Sequence, residues 1–333
     1  MTPPVVLSGL RPTGRVHLGN YFGAVKNWVD LQDSGRYRAY FFVADLHALT
    51  TDYADTRMLA SYTHDAVLDW LAVGLDPEKA TIFLQSRVPQ HAELALYFSM
   101  LTPLGWLERV PTYKDQLDAL RSRDLATHGF LGYPVLMTAD IALYRAELVP
   151  VGEDQTSHLE ISREIVRRFN SLYAEVFPEP KALFTPTPKL NGVDGRKMSK
   201  SYNNTIGVTE PAESLREKVM AMVTDPARVR RQDPGNPEVC SVFALHKLYS
   251  PPDEVAVVDR ECRTAARGCV DCKRHLLANM EPALAPIRDR RERLLASGDV
   301  VREVLHAGDV KARIVAEETM GRVREAVRLS PEA

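Results

Sequence analysis

The first half of the chain alternates short apolar runs with longer amphipathic stretches. The runs have the length of buried strands and are Val5–Leu7, Ala39–Ala44 and Thr81–Leu84. Apolar residues recur at helical spacing between them, over about Tyr21–Leu31 and Thr56–Val73. Successive parallel strands need a crossover, which is usually a helix. The alternation therefore predicts an α/β fold in which a Rossmann-like, doubly wound parallel sheet carries helices on both faces.

Ligands in such sheets bind beyond the carboxyl ends of the strands. The residues that follow the apolar runs are therefore candidate site residues, namely Ser8 and Gly9, then Asp45 and His47, then Gln85 and Ser86. From the sequence alone, an ordinary core or surface position explains His47 equally well.

The segment 8–20, SGLRPTGRVHLGN, joins the first apolar run to the first helical stretch. A turn that ends at a helix start presents free backbone N–H groups and the positive end of the helix dipole to an anion. Gly19 permits a close approach of a nucleotide to the backbone, and His17 and Asn20 offer donors on the same turn. The segment predicts a phosphate-binding turn.

A second segment, 194–201, has the sequence DGRKMSKS and places two lysines and two serines within five residues. Gly192, Gly195, Asn203 and Asn204 lie in or beside it, and such residues tolerate unusual backbone conformations. We interpret the segment as a mobile loop that closes over a polyphosphate and neutralises the charge that develops as a phosphate bond breaks. For this segment taken alone, a solvated basic loop is the competing interpretation.

The segment 132–141, GYPVLMTADI, predicts a helical face with three unlike side chains. Tyr133, Met137 and Asp140 are spaced by four and three residues, so they share one face of a helix that Pro134 would begin. A buried carboxylate needs a hydrogen-bond donor. A ligand with a large apolar ring and one ring N–H would supply it, and indole is such a ring because its nitrogen only donates.

The segment 148–155, LVPVGEDQ, predicts a further strand that continues into a glycine turn and a helix start. Gly152 permits a close approach by a nucleotide, Asp154 could accept from ribose hydroxyls, and Gln155 could contact the amino group of an amino acid. An acidic first turn that stabilises a helix without any ligand is the alternative.

Two regions depart from the strand–helix alternation. Residues 88–132 are irregularly helical and predict an insertion into the sheet domain. The apolar residues of this insertion form either a subunit interface or ordinary core. These residues are Leu94, Leu96, Phe98, Met100 and Leu101. From about Glu210 to Arg328 the chain is mostly helical, which predicts a separate α-helical domain.

All four cysteines lie in this helical region, with the spacing C-x21-C-x6-C-x2-C, at Cys240, Cys262, Cys269 and Cys272. Four thiols that end in a CxxC pair are typical of a tetrahedral thiolate site for zinc or an iron–sulfur cluster. The spacing does not choose between these metals, so zinc is preferred from the cysteines alone, and four unrelated thiols are a further alternative. Nearby basic side chains make the region a candidate RNA-binding corner; they are Arg263, Arg267, Lys273 and Arg274.

Two of these segments together resemble the signatures of class I aminoacyl-tRNA synthetases. HLGN at 17–20 stands where that family has its HIGH motif, and KMSKS at 197–201 matches the second motif without a change, about 180 residues later. YPVLMTAD at 133–140 and VPVGEDQ at 149–155 are similar to bacterial tryptophanyl-tRNA synthetases, and the resemblance covers essentially the whole chain. Tyrosyl members typically have a glutamine where Met137 stands, so Met137 with Asp140 favours the tryptophan type. The alternatives are a tyrosyl-type enzyme and a non-charging relative, which would be expected to lose one of the two motifs.

The resemblance implies a role for each matched residue. ATP would be bound by Arg11, Pro12, Thr13, Gly19, Asn20, Gly152, Glu153, Asp154, Leu190, Lys197, Met198, Ser199, Lys200 and Ser201. Tryptophan would be bound by Tyr133, Met137, Asp140, Gln155 and His47. Catalysis would use His17, Asn20, Lys197 and Lys200, with the two lysines acting on the departing pyrophosphate. Asn20 replaces the last histidine of the HIGH motif, as it commonly does in tryptophanyl members.

The resemblance also implies ligands and domain organisation. The expected ligands are ATP with Mg²⁺, L-tryptophan and tRNA(Trp), and the expected assembly is a homodimer. Residues 1–205 would form the catalytic domain, with the insertion at about 88–132 and the lysine loop at 192–204, and residues 206–333 would form an α-helical anticodon-binding domain. The cysteine quartet resembles one that holds a [4Fe-4S] cluster in some bacterial members, which moves the preference from Zn²⁺ to the cluster.

Composition restricts the classes of protein further. A formal net charge of −2 over 333 residues gives no global signal for nucleic acid, so an RNA contact needs a local basic patch. No apolar run approaches the ~18 residues of a membrane span, and the first residues lack the features of a signal peptide. We therefore expect a cytoplasmic protein.

Overall fold

A computed structural model describes residues 2–110, 126–152, 156–184, 188 and 190–329 of the chain. Its strands are β1 (Val5–Leu10), β2 (Arg38–Val43), β3 (Ala80–Leu84), β4 (Leu148–Val151) and β5 (Lys181–Phe184). Its α-helices are α1 (Leu18–Asn20), α2 (Lys26–Asp33), α3 (Asp45–Asp52), α4 (Leu59–Val73), α5 (Gln90–Leu101), α6 (Leu104–Leu107), α7 (His128–Leu131), α8 (Tyr133–Leu143), α9 (Thr156–Leu172), α10 (Ala212–Ala221), α11 (Ser241–Tyr249), α12 (Pro252–Arg263), α13 (Cys269–Ala296) and α14 (Val300–Ala326).

The five strands run parallel in the order β3-β2-β1-β4-β5. β1 lies at the centre, and the chain builds outward through β2 and β3 on one side and then through β4 and β5 on the other. The direction of building reverses between β1 and β4, and ligands bind at the carboxyl ends of strands next to such a reversal. The predicted Rossmann-like, doubly wound sheet is confirmed.

Alternate residues of the strands fill two separate cores. Val6 and Phe41 point to one face, where the Phe41 ring stacks on Trp28 with the ring centroids 4.8 Å apart. Val5 and Phe42 point to the other face and pack in a cluster with residues of α5 and α8. Because both faces are covered, strand residues of both orientations are apolar, and the strands form continuous apolar runs in the sequence.

The first crossover is less regular than predicted. α1 continues through a π-helical turn, Tyr21–Val25, before α2 begins at Lys26. Such turns frequently lie beside functional sites. Within the predicted insertion, the described residues form α5, α6 and α7, and residues 111–125 lie outside the described part of the chain.

From residue 206 the described chain is mostly helical, but its last helix returns to the sheet. α14 packs against the edge strand β3, and a Cβ at Gly308 would lie 1.8 Å from the Ile82 carbonyl oxygen, so glycine is required there. Asp309 then accepts a hydrogen bond from the Leu84 amide at 2.9 Å. The division into two domains, 1–205 and 206–333, stays a prediction. Residues of α14 pack in the same hydrophobic cluster as residues of the sheet. Within the described ranges, no helix is both long and apolar enough to cross a membrane.

Candidate active site

The turn after β1 ends at the start of α1, at the predicted HLGN segment. His17 caps this helix, since its Nδ1 accepts a hydrogen bond from the Asn20 amide at 3.3 Å. Burial, and secondarily the positive charge of Lys200, lowers the pKa of His17 to about 4. The imidazole is therefore neutral near pH 7 and carries its hydrogen on Nε2, which can donate to a ligand. A Cβ at Gly19 would lie 3.0 Å from the His17 ring, so glycine keeps the ring in place.

The middle of the turn lies at the carboxyl end of β1. Arg11 donates from Nη1 to Thr51 Oγ1 at 3.1 Å, Pro12 is buried, and Thr13 is exposed. Gly14 has a φ of +85°, a conformation that favours glycine. The predicted phosphate-binding residues of this turn thus lie together next to the strand reversal, and their contacts with ATP stay predictions.

The lysine loop, 192–204, is organised by Asn204, which in the sequence alone is only a residue that tolerates unusual backbone conformations beside the loop. Asn204 is 1% exposed, and its side chain donates to Asp194 Oδ1 at 2.7 Å and to the Lys197 carbonyl at 3.1 Å. It also accepts from the Ser199 amide at 2.8 Å. A Cβ at Gly192 would lie 2.3 Å from Asn204, so this packing requires glycine. The loop has a defined internal framework, and its mobility stays a prediction.

Lys200 connects the lysine loop to the turn after β1. Its ammonium group donates to the Thr13 carbonyl oxygen. Met198 is 5% exposed and packs in the core, and its amide donates to the Leu190 carbonyl at 2.9 Å. Leu190 is buried in the same core cluster. The fold therefore brings the two signature segments into contact although they are far apart in sequence.

A cavity of about 360 Å³ lies between these two segments. Its lining includes three cationic side chains and one carboxylate, and consists of Arg15, His17, Lys200, Asn203, Thr205, Gly207, Thr209, Glu210 and Lys218. Burial lowers the pKa of Lys200 to about 8, and the carboxylates of Asp69 and Asp65 limit the decrease. The excess of positive charge suits an anionic ligand. Sequence reasoning missed Arg15 and Lys218, because no local pattern shows that they share a cavity.

Helix α8 carries the predicted face of Tyr133, Met137 and Asp140, with Pro134 in its first turn. The Tyr133 hydroxyl lies 2.7 Å from His158 Nε2. Met137 is partly buried, and Asp140 is 1% exposed. The helix therefore presents a phenol, a thioether and a buried carboxylate, as its sequence predicts.

Three protein side chains donate to Asp140. Its Oδ1 accepts from Gln85 Nε2 at 2.7 Å and from His91 Nδ1 at 2.6 Å, and its Oδ2 accepts from His47 Nε2 at 2.8 Å. Burial by itself would raise the pKa of Asp140, but His47 and His91 outweigh it and hold the pKa below its ordinary value. The expectation that a ligand must supply the donor is corrected, because the protein already supplies three.

Only part of this network is visible in the sequence. His47 and Gln85 were candidates because they follow strands. His91 and Tyr144, which lie 2.9 Å apart, were not identified. Both are buried among apolar residues, so nothing in the local sequence separates them from ordinary core.

Three predicted residues, Glu153, Asp154 and Gln155, lie outside the described part of the chain. Gly152 precedes them and is buried just after β4. Their contacts with ribose and with the amino group of the substrate stay predictions.

The four cysteines are free thiols at the ends of helices, with Cys240 before α11, Cys262 near the end of α12, and Cys269 and Cys272 at the start of α13. Burial raises the pKa of Cys272 to about 12, and the three other thiols add to the increase, although Arg267 opposes it. Among the described residues, no group of three or more His, Cys, Asp or Glu side chains is arranged to hold a metal ion.

Known proteins resemble the chain over nearly its whole length. Residues 1–285 match the family described as tRNA synthetases class I (W and Y). The tryptophan–tRNA ligases of Thermotoga maritima and Aquifex aeolicus are 53% and 43% identical to it, each over 97% of this chain and 99% of the relative. The crystal structure of tryptophanyl-tRNA synthetase from Campylobacter jejuni, complexed with ADP and tryptophan, has a TM-score of 0.84 at 35% identity and covers 97% of this chain and 99% of that one.

Proposed function

The chain belongs to the class I tRNA synthetases for tryptophan and tyrosine, and from that membership we propose that it activates L-tryptophan with ATP and transfers it to tRNA(Trp). In the first step the tryptophan carboxylate attacks the α-phosphorus of ATP, and the bond to the β-phosphate breaks. The products are tryptophanyl-adenylate and pyrophosphate. In the second step the terminal ribose hydroxyl of the tRNA attacks the activated carbonyl, and AMP leaves. We place the reaction in the cytoplasm.

Neither step needs a side-chain nucleophile, so catalysis depends on positioning and on stabilisation of developing charge. The positively lined cavity suits the β- and γ-phosphates, whose oxygens would carry the Mg²⁺ ion. Lys197 and Lys200 would neutralise the pyrophosphate as it leaves. His17 and Asn20 would donate hydrogen bonds to the phosphates from the turn after β1.

The proposal that tryptophan is the amino-acid substrate depends mainly on Asp140. It is a buried, ionised acceptor on the same helical face as Met137. A thioether packs well on an aromatic ring, and a carboxylate accepts the single ring N–H that indole can donate. ATP–pyrophosphate exchange that depends on added tryptophan tests the proposal, and its absence would contradict it.

We further propose that the helical region contacts the anticodon part of the tRNA and that the four cysteines hold a [4Fe-4S] cluster there, with Zn²⁺ as the alternative. The chemistry of the donors supports a thiolate-bound metal, since the four cysteines are free thiols supplied by three segments of the helical region. Such a group would cross-link α11, α12 and α13 and fix the adjacent basic side chains. Arg228, for example, donates to Cys269 Sγ at 3.7 Å and to the Arg267 carbonyl at 2.9 Å.

Cys269→Ser is expected to leave tryptophan activation nearly unchanged and to weaken tRNA charging, because metal binding of this kind is coupled to local folding. Pyrophosphate exchange and aminoacylation assays measure the two activities separately. Anaerobically purified wild-type protein should be brown and contain stoichiometric iron and sulfide. Colourless protein with stoichiometric zinc would exclude the [4Fe-4S] cluster but would support a metal that cross-links the three helices. Absence of any metal, with all four thiols alkylated in the native protein, would reject both.

We also propose a homodimer whose interface includes the exposed side of α5 and α6. The apolar residues of the predicted insertion on α5 lie on two different faces of the helix. Leu94 and Phe98 are fully buried, whereas Leu96 is 58% and Met100 75% exposed. Leu104 of α6 follows four residues after Met100 and is 64% exposed. Spacing by four residues places Leu96 and Met100 on one face of α5, and Leu104 adds a third exposed apolar side chain at the start of α6. Adjacent exposed apolar side chains are typical of an interaction surface.

Replacing both Met100 and Leu104 with glutamate is expected to convert the dimer into a monomer. Analytical ultracentrifugation should give twice the 37.3 kDa mass of one chain for the wild type and the mass of one chain for the variant. Leu295→Glu is the matched control, since Leu295 is 49% exposed near the end of α13. A monomeric wild type, or a dimeric double variant, would contradict the interface.

A further inference from the structure

The two oxygens of the Asp140 carboxylate differ in their partners. Oδ1 accepts from both Gln85 and His91, at 2.7 and 2.6 Å. Among the described residues, Oδ2 accepts only from His47, at 2.8 Å. An ionised carboxylate has about four lone-pair positions. Oδ2 therefore keeps capacity for one more donor, and it lies on the side of His47, whose side chain is 14% exposed whereas that of His91 is fully buried.

His91 is fully buried on α5, and its two ring nitrogens have different partners. Nδ1 faces Asp140 Oδ1, and Nε2 lies 2.9 Å from the Tyr144 hydroxyl. Because an ionised carboxylate only accepts, Nδ1 must carry the hydrogen. Burial raises the pKa of Tyr144 well above its usual value, so the phenol keeps its proton, and it donates to Nε2 when the imidazole is neutral with its hydrogen on Nδ1. The hydrogen bonds from Tyr144 through His91 to Asp140 thus run in one direction.

Gln85 is oriented by backbone groups. Its Oε1 accepts from the amides of Leu46 and His47, at 3.2 and 3.4 Å, at the beginning of α3. This fixes the amide so that Nε2 faces Asp140. Gln85 is fully buried, so no water competes for these groups. Both donors to Oδ1 are therefore set by the protein before any ligand binds.

We infer that His91 is a positioning residue for amino-acid selection: with Gln85 it occupies Oδ1, so that Oδ2 alone is presented to the ring N–H of the substrate. The inference rests on the proposed function, because it assigns that N–H to tryptophan. Without the His91 hydrogen bond, the carboxylate can rotate toward Gln85 and His47, and Oδ2 is no longer held toward the ligand. The site would then lose its preference for a ring that donates.

Pyrophosphate exchange with two amino acids tests this role. L-β-(benzothiophen-3-yl)alanine has nearly the shape of tryptophan, but sulfur replaces the ring N–H. The wild type should strongly prefer tryptophan. In His91→Phe the ratio of kcat/KM for tryptophan to that for the analogue should fall by about tenfold, through a higher KM for tryptophan. The KM for ATP and kcat/KM for the analogue should stay unchanged, and His91→Gln, which keeps an N–H donor, should restore most of the ratio.

Equal losses for tryptophan and the analogue would mean that His91 only supports the fold, and an unchanged ratio would also overturn the inference. If His91→Phe does not fold, Tyr144→Phe removes only the hydroxyl and should lower the same ratio by a smaller factor; an unchanged ratio in that folded variant counts against the inference. ¹⁵N NMR of histidine-labelled protein should find the His91 hydrogen on Nδ1, and a hydrogen on Nε2 alone would contradict the network. Failure of the wild type to exchange with tryptophan would instead reject the proposed function.

Discussion

Lys200→Ala is expected to lower kcat for tryptophan-dependent pyrophosphate exchange by about 10²-fold or more, with little change in the Kd of tryptophan. Lys200 lines the positively charged cavity and contacts the Thr13 carbonyl at the turn after β1. Its ammonium meets charge that develops as the bond to the β-phosphate breaks, so its contribution is largest in the transition state. Steady-state exchange and equilibrium tryptophan binding measure the two quantities. Loss of tryptophan binding with an unchanged kcat would contradict the assigned role.

Lys79→Ala is a matched control, because Lys79 pairs with Asp33 just before the amino-terminal end of β3, whereas the candidate site lies at the carboxyl ends of the strands.

The pH dependence of the reaction gives a second check. The pKa of Lys200 is lowered to about 8, so the free enzyme loses this charge as the pH rises through that value. The kcat/KM for ATP reports the free enzyme, and it should fall above about pH 8. In Lys200→Arg the fall should move to higher pH, because a guanidinium stays protonated; identical profiles would argue against Lys200 as the titrating group.

Asp140→Ala is expected to lower kcat/KM for tryptophan by about tenfold to 150-fold, since a hydrogen bond to a charged group contributes on the order of 1.5–3 kcal/mol. The substitution also leaves the donors of His47, Gln85 and His91 without their acceptor, and each buried unsatisfied donor costs about 1–3 kcal/mol. We therefore also expect a lower Tm. Exchange kinetics below the unfolding transition and calorimetry measure the two effects.

Asp140→Asn separates the two effects. An amide keeps one acceptor oxygen for Gln85 and His91 but turns an NH₂ group toward His47 and the ligand. The asparagine variant should therefore recover part of the stability and none of the preference for tryptophan. Unchanged kinetics in both variants would remove Asp140 from the amino-acid site.

The sheet could be predicted because its physical signal is local. Both faces of β1 and β2 are covered, so Val5, Val6 and Leu7 are all apolar and form a run that the sequence displays directly. The start of α8 was predictable for a similar reason, since Pro134 suits the first turn and the spacing of Tyr133, Met137 and Asp140 follows from helix geometry.

The parts of the site that depend on distant partners could not be predicted. His91 and Asp140 are 49 residues apart, and the apolar neighbours of His91 on α5 make it look like ordinary core. Asn204 looked like a flexible flank because its partners in the lysine loop become visible only when the loop is folded. The return of α14 to β3 depends on Gly308, whose close approach to Ile82 leaves no periodic signal in the sequence.

Pyrophosphate exchange by the wild-type protein, measured in parallel with L-tryptophan and with L-tyrosine, tests the central claim most directly. The buried acceptor Asp140 and the apolar Met137 on one face of α8 favour a large ring with one N–H. The expected result is ATP-dependent exchange with tryptophan and little with tyrosine at equal concentration. Exchange that prefers tyrosine, or no exchange with either amino acid by folded protein, would contradict the account.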